Sequence, residues 1–386
     1  MARLWMSGDE YLDTLGGGSA NGLWDTVTGT VTVGAGFFRS GFYGARVNPV
    51  VAGSHYRSKK ITFSGGDVRL GYALQPKIRV NTLTEICVME EGGVPAASIR
   101  SNLDGTLELW NDGGAVQIGS DSAALPLDTW SWINLTFIDA TNVVTAKING
   151  VTFASGAITA LTVEQIDIGI GIVTPATGEF QFDDHVVNDS SGANETSDPE
   201  DQKIIICKPN AAGSLADGSR GGTDTGADWS QLSEDPPDDA TTYYFLDADL
   251  DRIEVNCEAA SLWMGANDTV KAVQVFVRHR SESALAMSYQ ATIKSGASRQ
   301  QGSTQTHNDV TWKTNGDAFP RLPSLTSYTD PATGVAWTTA GLDAAEPGVQ
   351  AIDATPDVWI TALSFLVAYV PATAVLQDPI LTGGVI

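Results

Sequence analysis

Carboxylates on extended segments are the residues of this chain with the most capacity for chemistry. Glycoside hydrolysis needs two of them flanking the sugar bond, one as proton donor and one as nucleophile or base. Alternate positions of one strand, as in E-x-D-x-E, would set them on one face. Here Glu85 is followed at alternate positions by Cys87 and Met89, Glu108 by Trp110, and Asp167 by Gly169. No single strand carries the set, so a non-catalytic protein is expected. The four histidines, His55, His185, His279 and His307, are scattered, and a lone strand histidine reads as a surface or hydrogen-bonded residue. HExxH, GxSxG, P-loop and GxGxxG motifs are all missing.

Two further groupings bear on binding. Asp247, Asp249 and Asp251, with Glu258 beyond them, imitate the spacing of an EF-hand loop. The imitation fails at Arg252, which stands where the turn glycine belongs, and at Glu254, in place of an apolar residue. YYFL and RIEVNC flank the run instead of helices, so an exposed acidic hairpin is the plainer reading. Aromatic rings stack on pyranose faces, and Tyr43, Tyr56 and Trp110 are the glycan candidates by residue type. Trp130 and Trp132 share one strand face and read as core.

The elements that must position these residues are strands. Forty glycines and 16 prolines among 386 residues, with many Thr, Val and Asn, point to short strands and tight turns. Long amphipathic helical stretches are missing, and the expected class is all-β. Asp104-Gly105 and Asn149-Gly150 each sit between alternating runs, the signature of hairpins. WSWINLTFI (130–138) alternates along a strand, and so does 163–172. In the second half, strands are expected at 241–246, 252–257, 269–280, 284–295 and 358–370, with loops at 209–240, 296–308 and 314–348. The uncharged stretch 358–376 has period-two ordering and Pro371, which marks a doubly buried strand and not a membrane helix.

Length suits two domains. Five of the ten tryptophans precede residue 200 and five follow it, consistent with two packed cores. The polar run 188–202, NDSSGANETSDPEDQ, lies between FQFDDHVV and KIIIC. It gives domains over 1–192 and 203–386 with a linker over 193–202, and two β-sandwiches or jelly rolls are the expected architecture. A net charge of −24 repels phosphate backbones and anionic lipid, so neither nucleic acid nor membrane is an expected partner. Cys87, Cys207 and Cys257 are too few for a disulfide framework and too dispersed for zinc. No apolar signal segment opens the chain, and assembly in a reducing host cytoplasm is expected.

Four pieces of the first half occur in an order that resembles the laminin-G-like branch of the concanavalin A-like superfamily. They are IRSNLDGTLELW, LPLDTWSWINLTFI, TAKINGVTFASGAI and GEFQFDDHVVND, and together they cover about residues 1–192. The second half, with SLWMGANDTVKAVQVFVRHRSESA and YTDPATGVAWTTAGLDAAEPGVQ, resembles C-terminal β domains of tailed-phage structural proteins. These resemblances imply a structural or adhesion component of the virion, such as a tail fibre, tip element or capsid decoration. The partners implied are other virion proteins, further copies of the chain in a homo-oligomer, with a trimer expected, and host-surface glycan for attachment. No cofactor is required. Laminin-G-like domains often hold calcium at a sheet rim, and the resemblance points to Asp183 and Asp184 for it. Alternation turns only one of that pair inward, where tying down a loop is the plainer role. The alternatives are a polysaccharide hydrolase or lyase, which would need a convergent carboxylate set, and a free lectin-like module.

Overall fold

The structure is a computed structural model that describes residues 3–8, 24–48, 53–61, 66–159, 161–171, 177–223, 225–233, 241–308, 310–314 and 325–372. Residue 172 of one expected strand and parts of the expected loops 209–240 and 314–348 lie outside these. The protein is all-β, as expected, and its strands pair antiparallel in four sheets.

The first fifteen strands are β1 (Arg3–Ser7), β2 (Thr26–Thr28), β3 (Thr32–Gly34), β4 (Gly44–Val47), β5 (His55–Lys60), β6 (Val68–Ile78), β7 (Thr84–Glu91), β8 (Val94–Ser101), β9 (Leu107–Asn111), β10 (Val116–Ile118), β11 (Ser131–Ile138), β12 (Val143–Ile148), β13 (Val151–Ala157), β14 (Gln165–Ile170) and β15 (Glu179–Asn188). One sheet runs β13-β12-β11-β6-β15-β4-β3, with β1 also on β15; the other runs β10-β9-β8-β7-β14-β5-β2. They face each other as a sandwich, and period-two alternation explains why. Ile133, Leu135 and Phe137 of β11 are fully buried against Cys87 and Met89 of β7 and Ile99 of β8 within one core cluster. Asn149 and Gly150 both adopt positive φ in the turn joining β12 and β13, the tight hairpin that the Asn-Gly pair predicts. Asp104-Gly105 sits in a wider turn over 102–106, closed by Asn102 N–H donating to the Thr106 carbonyl.

Thirteen more strands follow: β16 (Lys203–Cys207), β17 (Pro209–Ala216), β18 (Ser219–Gly222), β19 (Thr242–Leu246), β20 (Arg252–Cys257), β21 (Thr269–Ser281), β22 (Met287–Ser295), β23 (Ser298–Gln301), β24 (Gln305–His307), β25 (Lys313–Thr314), β26 (Thr326–Ser327), β27 (Ala345–Asp353) and β28 (Val358–Val370). They form a second pair of sheets. β28 is central in one, between β21 on one side and β16 and β19 on the other. It is buried along nearly its whole length, so its uncharged sequence belongs to a sheet interior. No helix among the described residues is long and apolar enough to cross a membrane.

The polar run before β16 does not hang in solvent. The Trp132 indole and the Asn134 amide both donate to the Pro199 carbonyl, at 3.0 and 2.9 Å. Asp198 receives Thr136, Arg69 and Lys147 at 2.8, 3.0 and 2.6 Å, and Arg3 reaches Glu195 at 2.8 Å. The segment is a strap across the outer face of the β11-β6-β15 sheet. Trp132 is therefore buried under the strap and not between the two sheets. Ile204, Ile206, Ala272, Phe276 and Leu366 from beyond the strap join the first core cluster.

Candidate functional site

The outer face of the β7-β14 sheet carries the carboxylates, and a bulge in β7 puts one of them there. Arg100 pairs with Glu85 and Ile99 with Cys87, so Ile86 is an extra residue without a partner on β8. An extra residue reverses the in-out parity beyond it. Cys87 and Met89 stay fully buried inside, while Glu85 turns outward to Arg100 at 3.2 Å. The simple alternation that grouped Glu85 with Cys87 and Met89 is corrected by this bulge. Val88 and Glu90 face outward by ordinary alternation, opposite Asp167 and Gln165 of β14.

Glu85 and Glu90 of β7 and Asp167 of β14 thus meet across two strands. They line one cavity of about 250 Å³ with Tyr56, Val88, Pro95, Gly169 of β14 and Gly171 just beyond it. Gly171 matters here because a Cβ on it would lie 2.4 Å from the Glu85 carboxylate oxygen Oε2. The Gln165 amide donates to Glu90 Oε2 at 2.8 Å and to Asp167 Oδ1 at 2.9 Å, holding the two carboxyls side by side. Burial pushes the Asp167 carboxyl up to about 7; Glu90 beside it adds to the rise, against bonds from Ser58 and Gln165. Burial likewise raises the Tyr56 phenol, with Asp167, Glu90 and Glu85 contributing repulsion. No Lys, Arg or His is among the described lining residues.

Trp110 lies on the same outward face, in register with Ser98, which is in turn opposite Val88. Its indole donates to Glu108 at 2.7 Å, and the Arg100 guanidinium sits 4.3 Å over its ring. Arg100 is itself held by Glu85 and Asp112. Two of the three expected glycan aromatics, Tyr56 and Trp110, are brought to one face. Tyr43 is not. It lies beside Phe42 and under the Lys208 ammonium, 5.8 Å from its ring, and Phe42 packs on Trp263. That places Tyr43 at the junction of the two halves, away from the cavity, because β4 enters the opposite sheet.

The expected calcium pair is also corrected. A bulge between Asp183 and Val186, with Asp184 at φ 55°, buries both aspartates completely. Asp183 accepts from the backbone N–H groups of Arg39, Ser40 and Asp184 at 2.7, 3.1 and 2.8 Å. Asp184 accepts from the Ile204 N–H at 2.7 Å, from the Ser40 hydroxyl and from Arg39. Donors point at every carboxylate oxygen, so the pair fastens 39–40 and the start of β16. Burial pushes Asp184 up to about 6, with Arg39 opposing. No group of three or more His, Cys, Asp or Glu among the described residues could hold a metal ion.

The histidines are interior. His55 accepts from the Thr30 N–H at 2.8 Å, His185 packs on Trp24 and Tyr72, and His279 and His307 lie 4.2 Å apart beside Tyr289. Asp249 and Asp251 bond backbone N–H groups of Ala354 and Ala248 in the turn between β19 and β20. All three cysteines are free thiols.

No family model and no curated protein sequence matches the chain. Among solved structures it is similar to the cellulose induced protein Cip1, with 12% identity and a TM-score of 0.37, covering 51% of this chain and 93% of that one. It is similar to Trypanosoma rangeli sialidase at 11% identity and a TM-score of 0.33, over 45% of this chain and 28% of that one. The binding domain of botulinum neurotoxin serotype G matches at 12% identity and a TM-score of 0.31, over 44% of this chain and 45% of that one. None reaches a TM-score of 0.5. Sialidases stand among the matches. The expectation of a chain without enzymatic activity rested on the search for E-x-D-x-E along one strand, and it is withdrawn because acids of two neighbouring strands meet in one cavity, where such a search cannot find them.

Proposed function

We propose that this chain is a carbohydrate-binding component of a tailed-phage particle, which holds host-surface glycan on the outer face of the β7-β14 sheet. The observation that carries the binding reading is the gathering of a half-buried Tyr56, a half-buried Trp110 and a polar-ended cavity on one open sheet face. Ring faces and apolar walls take the flat side of a sugar, and a few fixed polar groups choose its orientation. The virion reading is supported by the resemblance of the second half to tailed-phage structural proteins. Copies arranged in a trimer would multiply a weak grip per subunit.

A glycan array probed with the wild-type chain, Trp110→Ala and Tyr56→Ala tests the grip. At least one glycan class is expected to bind, with a loss of about tenfold or more in each variant; retention of no glycan at all would sink the reading. Peptide mass spectrometry of purified particles, heads and tails separated, tests the placement, and absence from both would end it. A second reading, a polysaccharide hydrolase or lyase, is favoured by Asp167, a carboxyl pushed up to about 7 in a cavity. Such a group keeps a proton to give near neutrality. Release of new sugar ends from a bound polysaccharide, abolished in Asp167→Asn, is its expected signature.

A further inference from the structure

We infer that the cavity on the outer face of β7 and β14 accepts the primary ammonium of an amino sugar, a de-N-acetylated hexosamine, with Glu85, Glu90 and Asp167 as its acceptors. The inference rests on the glycan-binding reading above and names the sugar class. At about 250 Å³ the cavity lies at the small end for ligand sites and suits one sugar residue of a chain. Its walls, Tyr56, Val88 and Pro95, are suited to the apolar face of a ring, while its polar end consists of carboxyls.

An anionic sugar would bring a carboxylate against Glu90 and the Arg100-paired Glu85, with no Lys, Arg or His among the described lining residues to receive it. Arg100, the cation nearest on the same face, is already engaged by Glu85 and Asp112. A neutral hydroxyl could bond there but would gain nothing from the charge. An ammonium has three donors and no acceptor, which matches three acceptors fixed by Gln165 and by the bulge at Ile86.

The exchange balances as follows. In the free protein Asp167 carries a proton near neutrality, because it is buried beside Glu90. The arriving ammonium supplies the positive charge that this proton supplied, and the proton leaves to solvent. No bond in the sugar forms or breaks. Below pH 7 binding should therefore release close to one proton per sugar, and affinity should rise by up to about tenfold per pH unit between pH 5 and 6.5.

Isothermal titration of the full chain at pH 6 tests this, with glucosamine oligomers, their N-acetylated counterparts and sialylated oligosaccharides as probes. Two buffers of different ionisation enthalpy count the protons. The expected result is at least tenfold preference for the amino form, proton release near one, loss of that release in Asp167→Asn, and weaker amine binding with a smaller release in Glu90→Gln, where burial still raises Asp167 without its acidic neighbour. The second variant keeps the test open should the first fold poorly. Equal or tighter binding of N-acetylated or sialylated probes, or binding of the amine without proton release, overturns the ammonium assignment while leaving glycan binding intact. Failure of every probe, together with an empty glycan array, overturns both.

Discussion

Two aspartates lie over the outer faces of the first sandwich, Asp198 on the strapped sheet and Asp167 on the open one, and they ionise in opposite directions. Burial pushes up the carboxyl of each. For Asp198 the bonds from Lys147, Thr136 and Arg69 outweigh burial and hold it below the ordinary carboxylate value. For Asp167 the neighbours are Ser58, Gln165 and a second acid, and burial wins. A carboxylate that the chain fully neutralises is a fastening. One left with its proton, in a cavity, is available to something that is not the chain.

The comparison breaks most readily at the tryptophans. Trp132 is buried beneath the strap and bonded to Pro199, so Trp132→Ala should cost about 3–5 kcal/mol in urea unfolding. A cost near that of a surface residue would mean that the strap is not a structural cover. Next comes Asp167→Asn. With a folded value near 7 against an ordinary 3.8, ionising Asp167 disfavours the folded state as pH rises from about 4 to 7. The variant should then be more stable than wild type by about 2 kcal/mol at pH 8, with the gain shrinking as pH falls towards 4. Equal unfolding midpoints at pH 8 would contradict the buried acid pair.

Asp198→Asn should run the other way. A depressed folded value contributes stability above the ordinary carboxylate pKa and loses it as pH falls through the folded value. The expected cost is about 1 kcal/mol at pH 7, absent near pH 2. A variant as stable as wild type at pH 7 would remove the contrast with Asp167. The smallest effect on folding is expected at Trp110, whose half-buried ring meets Arg100 and Glu108 on the open face. Trp110→Ala should shift stability by less than about 1 kcal/mol, so that any loss of glycan retention reports contact and not unfolding.

Much of the fold was legible because strands announce themselves by period. SWINLTFI, KIIIC and the uncharged β28 all became strands, and β11 is buried on both faces because the strap covers the side that carries Trp132. Asn149-Gly150 marked its turn because few other residue pairs adopt positive φ twice in succession. β17 and β18 were hidden in the expected loop 209–240, β23 and β24 in 296–308, and the start of β27 in 314–348. Their Gly, Ser and Pro contents mimic coil, yet Pro347 and Gly348 pair with Ile293 and Thr292 in a sheet. The site was half legible. Tyr56 and Trp110 were named from ring chemistry alone, but the acid cluster depends on strand adjacency and on a bulge, and neither has a local sequence signal.

That bulge makes one position of β7 dispensable in length. Ile86 has no partner on β8, while Glu85 and Cys87 pair with the adjacent Arg100 and Ile99. Losing its codon would make Glu85 and Cys87 successive residues of a regular strand, and successive residues point to opposite faces. The acid would stay outside and the thiol inside, so the chain can shorten by one residue at this hydrophobic position without turning a carboxylate of the site inward.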